Sequence, residues 1–152
     1  MSSINSYILK SMPVLLALIL FSCSVNDKPQ PINAGKDSCT ACSMQIMDKK
    51  FACEIITTKG KALKFDDMSC MFHFIGKGKI AKEDVLRMYV SDFENPDSLI
   101  DVKTASLVLG SEIHSPMNGG VAAFSNKEHA VQFANDTKSE LLDKWERLEM
   151  QH

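Results

Sequence analysis

Residues Cys39 to Met47 read Cys-Thr-Ala-Cys-Ser-Met-Gln-Ile-Met, which sets two thiols and two thioethers in nine consecutive positions. Thiolate and thioether sulfur are soft, polarisable donors, and such donors select Cu(I) over the harder divalent ions. Another soft donor, Met117, lies far downstream in Gly-Ser-Glu-Ile-His-Ser-Pro-Met. Pro116 before it and Asn118-Gly119-Gly120 after it make a loop, so a large apolar side chain there is either tucked under or held for use. Sequence reading therefore expects folding to bring the two segments around one copper ion, with Cys39, Cys42, Met44 and Met117 as candidate ligands. His114, three residues before Met117, could add an imidazole. Met44 reads equally as a core residue ahead of a strand, and Met47 as a spare donor or the start of the core.

The Cys-x-x-Cys pair supports other chemistry as well. As a redox couple it needs a helix that opens inside the motif and stabilises the first thiolate. Here Ser43-Met44-Gln45 runs on to Asp48-Lys49-Lys50 with no helical period, which weakens that reading. A closed zinc site would want a second Cys-x-x-Cys or paired His. Cys53 and Cys70 occur singly, in an expected strand and mid-helix, and read as buried, inert thiols. His73 and His129 fall on expected helices and read as surface or packing residues. Asp66-Asp67 directly precedes an apolar helix and reads first as a cap. No nucleophile–base set, phosphate loop or pair of catalytic carboxylates occurs, and the expectation is a non-enzymatic protein.

These residues must be positioned by a chain of 152 residues, 45% hydrophobic and 24% charged, with net charge −2: one ordinary globular domain or two very small ones. With no basic excess, nucleic acid is not an expected partner. Residues 1–22 read as an export signal. Lys10 precedes an apolar run from Met12 to Phe21, too short for a stable span, which ends in Leu-Phe-Ser-Cys23. That ending resembles a bacterial lipobox, in which Cys23 becomes the lipid-bearing N-terminus and holds the domain at a membrane surface. Residues 23–37, with Pro29, Pro31 and Gly35, are expected to be an extended, mobile tether, and the domain to span 38–152.

Within the domain, strands are expected at 51–58, 61–65, 85–90, within 99–109 and at 121–124. A helix from Asp66 or Asp67 to Ile75 carries Met68, Met71, Phe72 and Ile75 at helical spacing. Ser125 to Glu128 forms a capping box for a second helix through Phe133. Thr137 to Glu140 repeats that form ahead of Leu141, Leu142, Trp145 and Leu148, which predicts a final amphipathic helix. Lys64-Phe65-Asp66-Asp67 with its helix is echoed by Ala123-Phe124-Ser125-Asn126 with the next. Either chance likeness or an internal repeat accounts for the echo. If it is a repeat, the fold is α+β, two similar small ββα(β) halves (about 38–104 and 105–152) packed together, plus the C-terminal helix.

Taken together the motifs resemble the NosL family, copper-binding lipoproteins accessory to nitrous oxide reductase. The likeness rests on Cys42-Ser43-Met44, Phe51-Ala52, Lys64-Phe65-Asp66-Asp67 with Cys70, Val108-Leu109-Gly110-Ser111, Ser115-Pro116-Met117, Ala123-Phe124 and Ala130 with Phe133-Ala134. The resemblance implies a periplasm-facing Cu(I) chaperone for nitrous oxide reductase or another copper enzyme, built from two ββαβ-like halves. The family's Cys-x-Met motif falls on Cys42 and Met44 and its Pro-Met motif on Met117. The His that some members carry near the Cys has no counterpart, and Cys39 stands in its neighbourhood. Many members have Gly where this chain has Ser43, so a left-handed backbone there would strain the loop.

Overall fold

A computed structural model describes residues 25–142 and 144–149. The expected export signal and Cys23 therefore lie outside the described residues. The fold is mixed α and β, with two antiparallel sheets. In the first, β1 (Cys53–Thr57), β2 (Ala62–Phe65), β3 (Val85–Ser91) and β4 (Leu99–Asp101) lie in the order β2-β1-β3-β4. In the second, β5 (Ser106–Leu109), β6 (Val121–Phe124) and β7 (Glu140–Leu142) lie in the order β6-β5-β7. Helix α1 (Met68–Gly76) follows β2, and helix α2 (Lys127–Asp136) follows β6.

The pattern of β1, Cys-Glu-Ile-Ile, is buried throughout rather than alternating, because both faces of the first sheet are covered. Cys53 and Ile55 face Met68, Met71, Phe72 and Ile75 of α1, the stripe its helical spacing anticipated. The opposite face is covered by residues 25–37. Gln30 donates its backbone N–H to Glu54 at 2.9 Å, Tyr89 donates its hydroxyl to the Asp27 carbonyl at 2.8 Å, and Ile32 is buried with Ile46 and Ala52. Lys64 reaches the Pro31 carbonyl and Asp37, each at 2.7 Å. So the stretch expected to be a free tether lies, from residue 25 onward, against the sheet.

The sheets share one core. Val121, Ala123, Leu107 and Leu142 of the second pack with Phe65, Val90 and Met71 of the first unit. The backbone joins them too, since Phe93 donates its N–H to Ala123 at 2.8 Å. Beside that bond Phe93 meets the rings of Phe51, Phe124 and Phe133, with centroids 5.0–5.7 Å apart.

The expected C-terminal amphipathic helix is not what forms. Lys138 takes a left-handed backbone (φ 52), which ends α2 and prevents helix from restarting at Thr137. Leu141 and Leu142 then pair with Val108 and Leu107 of β5. Among the described residues, helix there is confined to α3 (Glu146–Glu149), a single turn beside Trp145, whose ring stacks on Phe72 at 6.1 Å. Here satisfying the open edge of β5 outweighs a helical spacing of only a few residues.

Glu54 is fully buried and its Oε2 has no hydrogen-bond partner. Burial holds its carboxyl above the ordinary value of 4.5, against the lowering influence of the Gln30 N–H and Lys64. An acid whose folded-state pKa is raised favours folding below its unfolded value, and that contribution is lost as pH rises through the folded value. Glu54→Gln should therefore raise the melting temperature at pH 7, and the gain should shrink as pH falls through the raised folded-state value and be gone below about 4.5. Parallel thermal melts across that range check it; a gain that did not vary with pH would contradict it.

Candidate metal centre

The Cys39–Met47 loop is a compact turn fastened at both ends. Cys39 donates its N–H to Met44 at 2.7 Å, Ser43 donates to Cys39 at 2.8 Å, and Thr40 donates to Lys64 on β2 at 2.7 Å. Ser38 and Gln45 pair as an isolated bridge beneath it. Ser43, between Cys42 and Met44, is in the left-handed region at φ 64, the conformation that a Gly would adopt freely.

Under this loop lies the junction of β2 and α1. The N-cap of α1 is Asp67, whose Oδ1 accepts from the Ser69 N–H at 2.6 Å. Asp66 is thereby left free of capping and turns into the core. Its carboxylate and the thiols of Cys39, Cys42 and Cys70 lie within 4.8 Å of one another. Asp66 Oδ1 is buried and meets no N–H or O–H donor; the Cys39 and Cys70 thiols are the weak donors beside its carboxylate. All four described cysteines are free thiols. Burial is the main influence pushing the Cys39 and Cys70 thiols up, and for Cys70 the nearness of Cys39 and Asp66 adds to it. Cys53, sealed beneath them in β1, is pushed up for the same reason and stays outside the cluster.

The Met117 loop is pinned to the same junction. Asp67 Oδ2 accepts from the Ser115 hydroxyl in a short bond and from the Met117 N–H at 3.2 Å. The Ser115 hydroxyl in turn accepts from Gly120 at 3.1 Å. Gly119 lies so close that a Cβ there would be 2.6 Å from Asp67 Oδ1 and 2.9 Å from Ser69 Cβ. The backbone of Met117 is thus one residue along β2–α1 from the carboxylate of the thiol cluster.

Of the residues singled out from sequence, Cys39 and Cys42 meet in the cluster, with Cys39 buried and Cys42 half-buried. Met44 and Met117 are 54% and 40% exposed, so neither is a core residue. Met47 is exposed as well. His114 is exposed, in the loop ahead of Met117. His129 is at the surface, paired with Glu94 at 2.6 Å and far along the chain from both sulfur loops. Sequence reading missed Cys70 and Asp66. No local signal marks them, since Asp66 lies just outside the helix whose N-cap is Asp67 and Cys70 sits among its core residues.

The model of the NosL family matches residues 29–146. The chain belongs to the NosL family. Among solved structures it is similar to the copper chaperone NosL from Shewanella denitrificans, at 24% identity and a TM-score of 0.67. That match covers 79% of this chain and 94% of that one, and it shows a shared fold. A comparison with curated proteins finds no match.

For this NosL-family chain, Asp67→Ala should cost about 2–4 kcal/mol, through loss of a cap and of bonds to a buried carboxylate. Urea denaturation measures that loss, and hydrogen exchange should accelerate at the Met117 and Gly120 amides. Ser43→Gly, which relieves a left-handed residue, should stabilise by up to about 1 kcal/mol. Destabilisation by that change would mean that the Ser43 side chain makes a compensating bond.

Proposed function

We propose that the chain is an exported lipoprotein, anchored at Cys23 and facing the periplasm, that binds Cu(I) and delivers it to a copper enzyme, nitrous oxide reductase in the first instance. The observation that carries this reading is that the Met117 loop is held, through its backbone, at the helix start beside the Cys39 and Cys42 thiols. The thiols of Cys39 and Cys42 lie at the junction to which the Met117 loop is pinned by Asp67. The Shewanella denitrificans relative being a copper chaperone supports it.

The cargo is held by Cys42, Met44 and Met117, with Cys39 behind Cys42 and His114 as an outer donor. One thiolate and neutral thioethers around Cu(I) give a neutral complex, which avoids the large cost of leaving net charge half-buried. Thioethers also suit an oxidising compartment, where they cannot be lost to a disulfide. Because Met44 and Met117 are exposed, soft ligands of a recipient can replace them one at a time without releasing free copper. The work is binding and exchange rather than catalysis.

A thiol–disulfide oxidoreductase using Cys39 and Cys42 is the competing reading. Such chemistry wants a first thiol of lowered pKa at a helix N-terminus. Cys39 is instead buried in a turn, with its pKa raised. The chain is further read as two ββαβ halves, about 38–104 and 105–152. In support, β1 is flanked by β2 and β3 around α1, and β5 by β6 and β7 around α2. Copper would then bind where a loop of each half meets.

An anaerobic Cu(I) titration against a chromogenic chelator tests the reading. One Cu(I) per chain is expected, with Cys42→Ala and Met117→Ala each weakening binding at least about tenfold while circular dichroism is unchanged. Affinity indifferent to both changes would overturn it, and a readily reversible Cys39–Cys42 disulfide couple without tight copper would favour the oxidoreductase.

A further inference from the structure

The donors at this junction fall into two layers. The exposed thioethers of Met44 and Met117 are the outer donors, the rim of the proposed copper site. Cys39 (2% exposed), Asp66 (2%) and Cys70 (7%) are buried and make a closed floor, with half-buried Cys42 between the two in exposure. The layers also differ in chemistry. The rim is soft sulfur alone, whereas the floor adds a hard carboxylate oxygen.

That carboxylate is the informative group. A buried carboxylate whose near donors are the weak S–H groups of Cys39 and Cys70 is costly and calls for a stronger partner. The nearest lysine in sequence, Lys64, is engaged with Asp37 and Pro31 rather than with Asp66. Cu(I), content with sulfur, would leave Asp66 Oδ1 unmatched. A borderline divalent ion would use it. Three thiolates and one carboxylate around one centre make the closed, four-coordinate donor set of a zinc site. With Zn–S bonds of about 2.3 Å, tetrahedral geometry sets sulfurs on the order of 3.8 Å apart. The floor's ligand atoms are within 4.8 Å of one another, so small side-chain rotations close the set. Its ligands also sit on well-held backbone: Cys70 on α1, Asp66 at the end of β2, and Cys39 in a turn fixed by three hydrogen bonds.

The geometry points to a second metal position under the rim, a zinc-class site made by Cys39, Cys70, Asp66 and Cys42. It holds a resident divalent ion, and the thiol protons leave to solvent as the ion binds. Cys42 is the sulfur common to both layers, and a thiolate can bridge two metals. This inference rests on the thiol–carboxylate geometry and shares Cys39 and Cys42 with the copper reading, from which its failure is distinguished below.

The test uses the full-length chain, reduced, metal-free and anaerobic, with Co(II) as the spectroscopic stand-in for Zn(II). One Co(II) per chain is expected, with the intense visible bands and sulfur-to-metal charge transfer of tetrahedral thiolate coordination, displaced by Zn(II). Cys70→Ser and Asp66→Asn should each weaken Co(II) binding at least about tenfold and leave Cu(I) affinity little changed, whereas Met117→Leu should do the reverse. Asp66→Asn is isosteric and decides the matter if Cys70→Ser fails to fold. If the intact chain takes Cu(I) but gives no tetrahedral thiolate spectrum with Co(II), the floor site is overturned and the copper reading stands. If Co(II) binds so and Cu(I) does not, the copper reading falls and the floor stands. If Cys70→Ser and Asp66→Asn abolish Cu(I) binding together with Co(II), there is one site and the two-layer assignment is wrong.

Discussion

Asp67 is buried between a helix terminus and a loop from the other end of the chain, and its two oxygens serve both. One oxygen caps α1 at Ser69, and the other holds the Ser115 hydroxyl and the Met117 N–H. Burying a carboxylate costs several kcal/mol unless hydrogen bonds and a favourable field replace its water. Here three donors and the positive end of the helix supply them. The consequence is mutual. Asp67 holds the loop at Met117, and without it the helix would start with an orphaned N–H. The Met117 loop is thereby fixed to the start of α1, next to the carboxylate of the thiol cluster, by a residue that need not touch metal.

The cap also decides what Asp66 can do. Adjacent acidic residues at a helix start cannot both cap it, because the backbone turns their side chains in different directions. With Asp67 engaged, Asp66 points into the core, where Cys39 and Cys70 surround it. A hard oxygen among soft sulfurs, shielded from water, follows from the choice of cap. Exposure then grades outward from Cys39 through Cys42 to Met44 and Met117, so accessibility and softness increase together toward the surface.

Much of this could be read from the residues. The strands around Ile55, Lys64 and Ala122 and the helix bearing Met68, Met71, Phe72 and Ile75 lie where hydrophobic spacing puts them, since each buries its stripe in the shared core. The C-terminal region was misread because Leu141, Leu142, Trp145 and Leu148 fit a helical period as well as a short strand followed by a turn. Only the unpaired edge of β5 breaks that tie, and an edge is a property of the whole sheet. Cys70 was set aside for a similar reason. Its neighbours Met71 and Phe72 are core, and no local pattern says that the remaining thiol points at a turn thirty residues upstream. Ser43 shows the opposite case, where the strain expected of a non-glycine residue in a Cys-x-Met turn was legible before the backbone was known.

The N-terminal segment carries a last consequence for how the domain sits. Residues from Val25 onward are committed to the first sheet. Val25 lies against the β1–β2 turn at Gly60, Asp27 pairs with Arg87 at 3.1 Å, and Gln30 caps Glu54. Releasing this segment would expose Ile32 and strip Glu54 of its one hydrogen bond, so the contacts are coupled to the stability of β1. Were Cys23 lipidated as proposed, little free chain would separate anchor from domain. A long flexible tether lets a carrier sweep a wide volume, with reach growing as the square root of its length. A tether this short would remove that freedom and keep the domain near the bilayer. A recipient would then have to approach along the membrane surface, which would raise its local concentration and restrict the orientations in which the exposed sulfurs can be met.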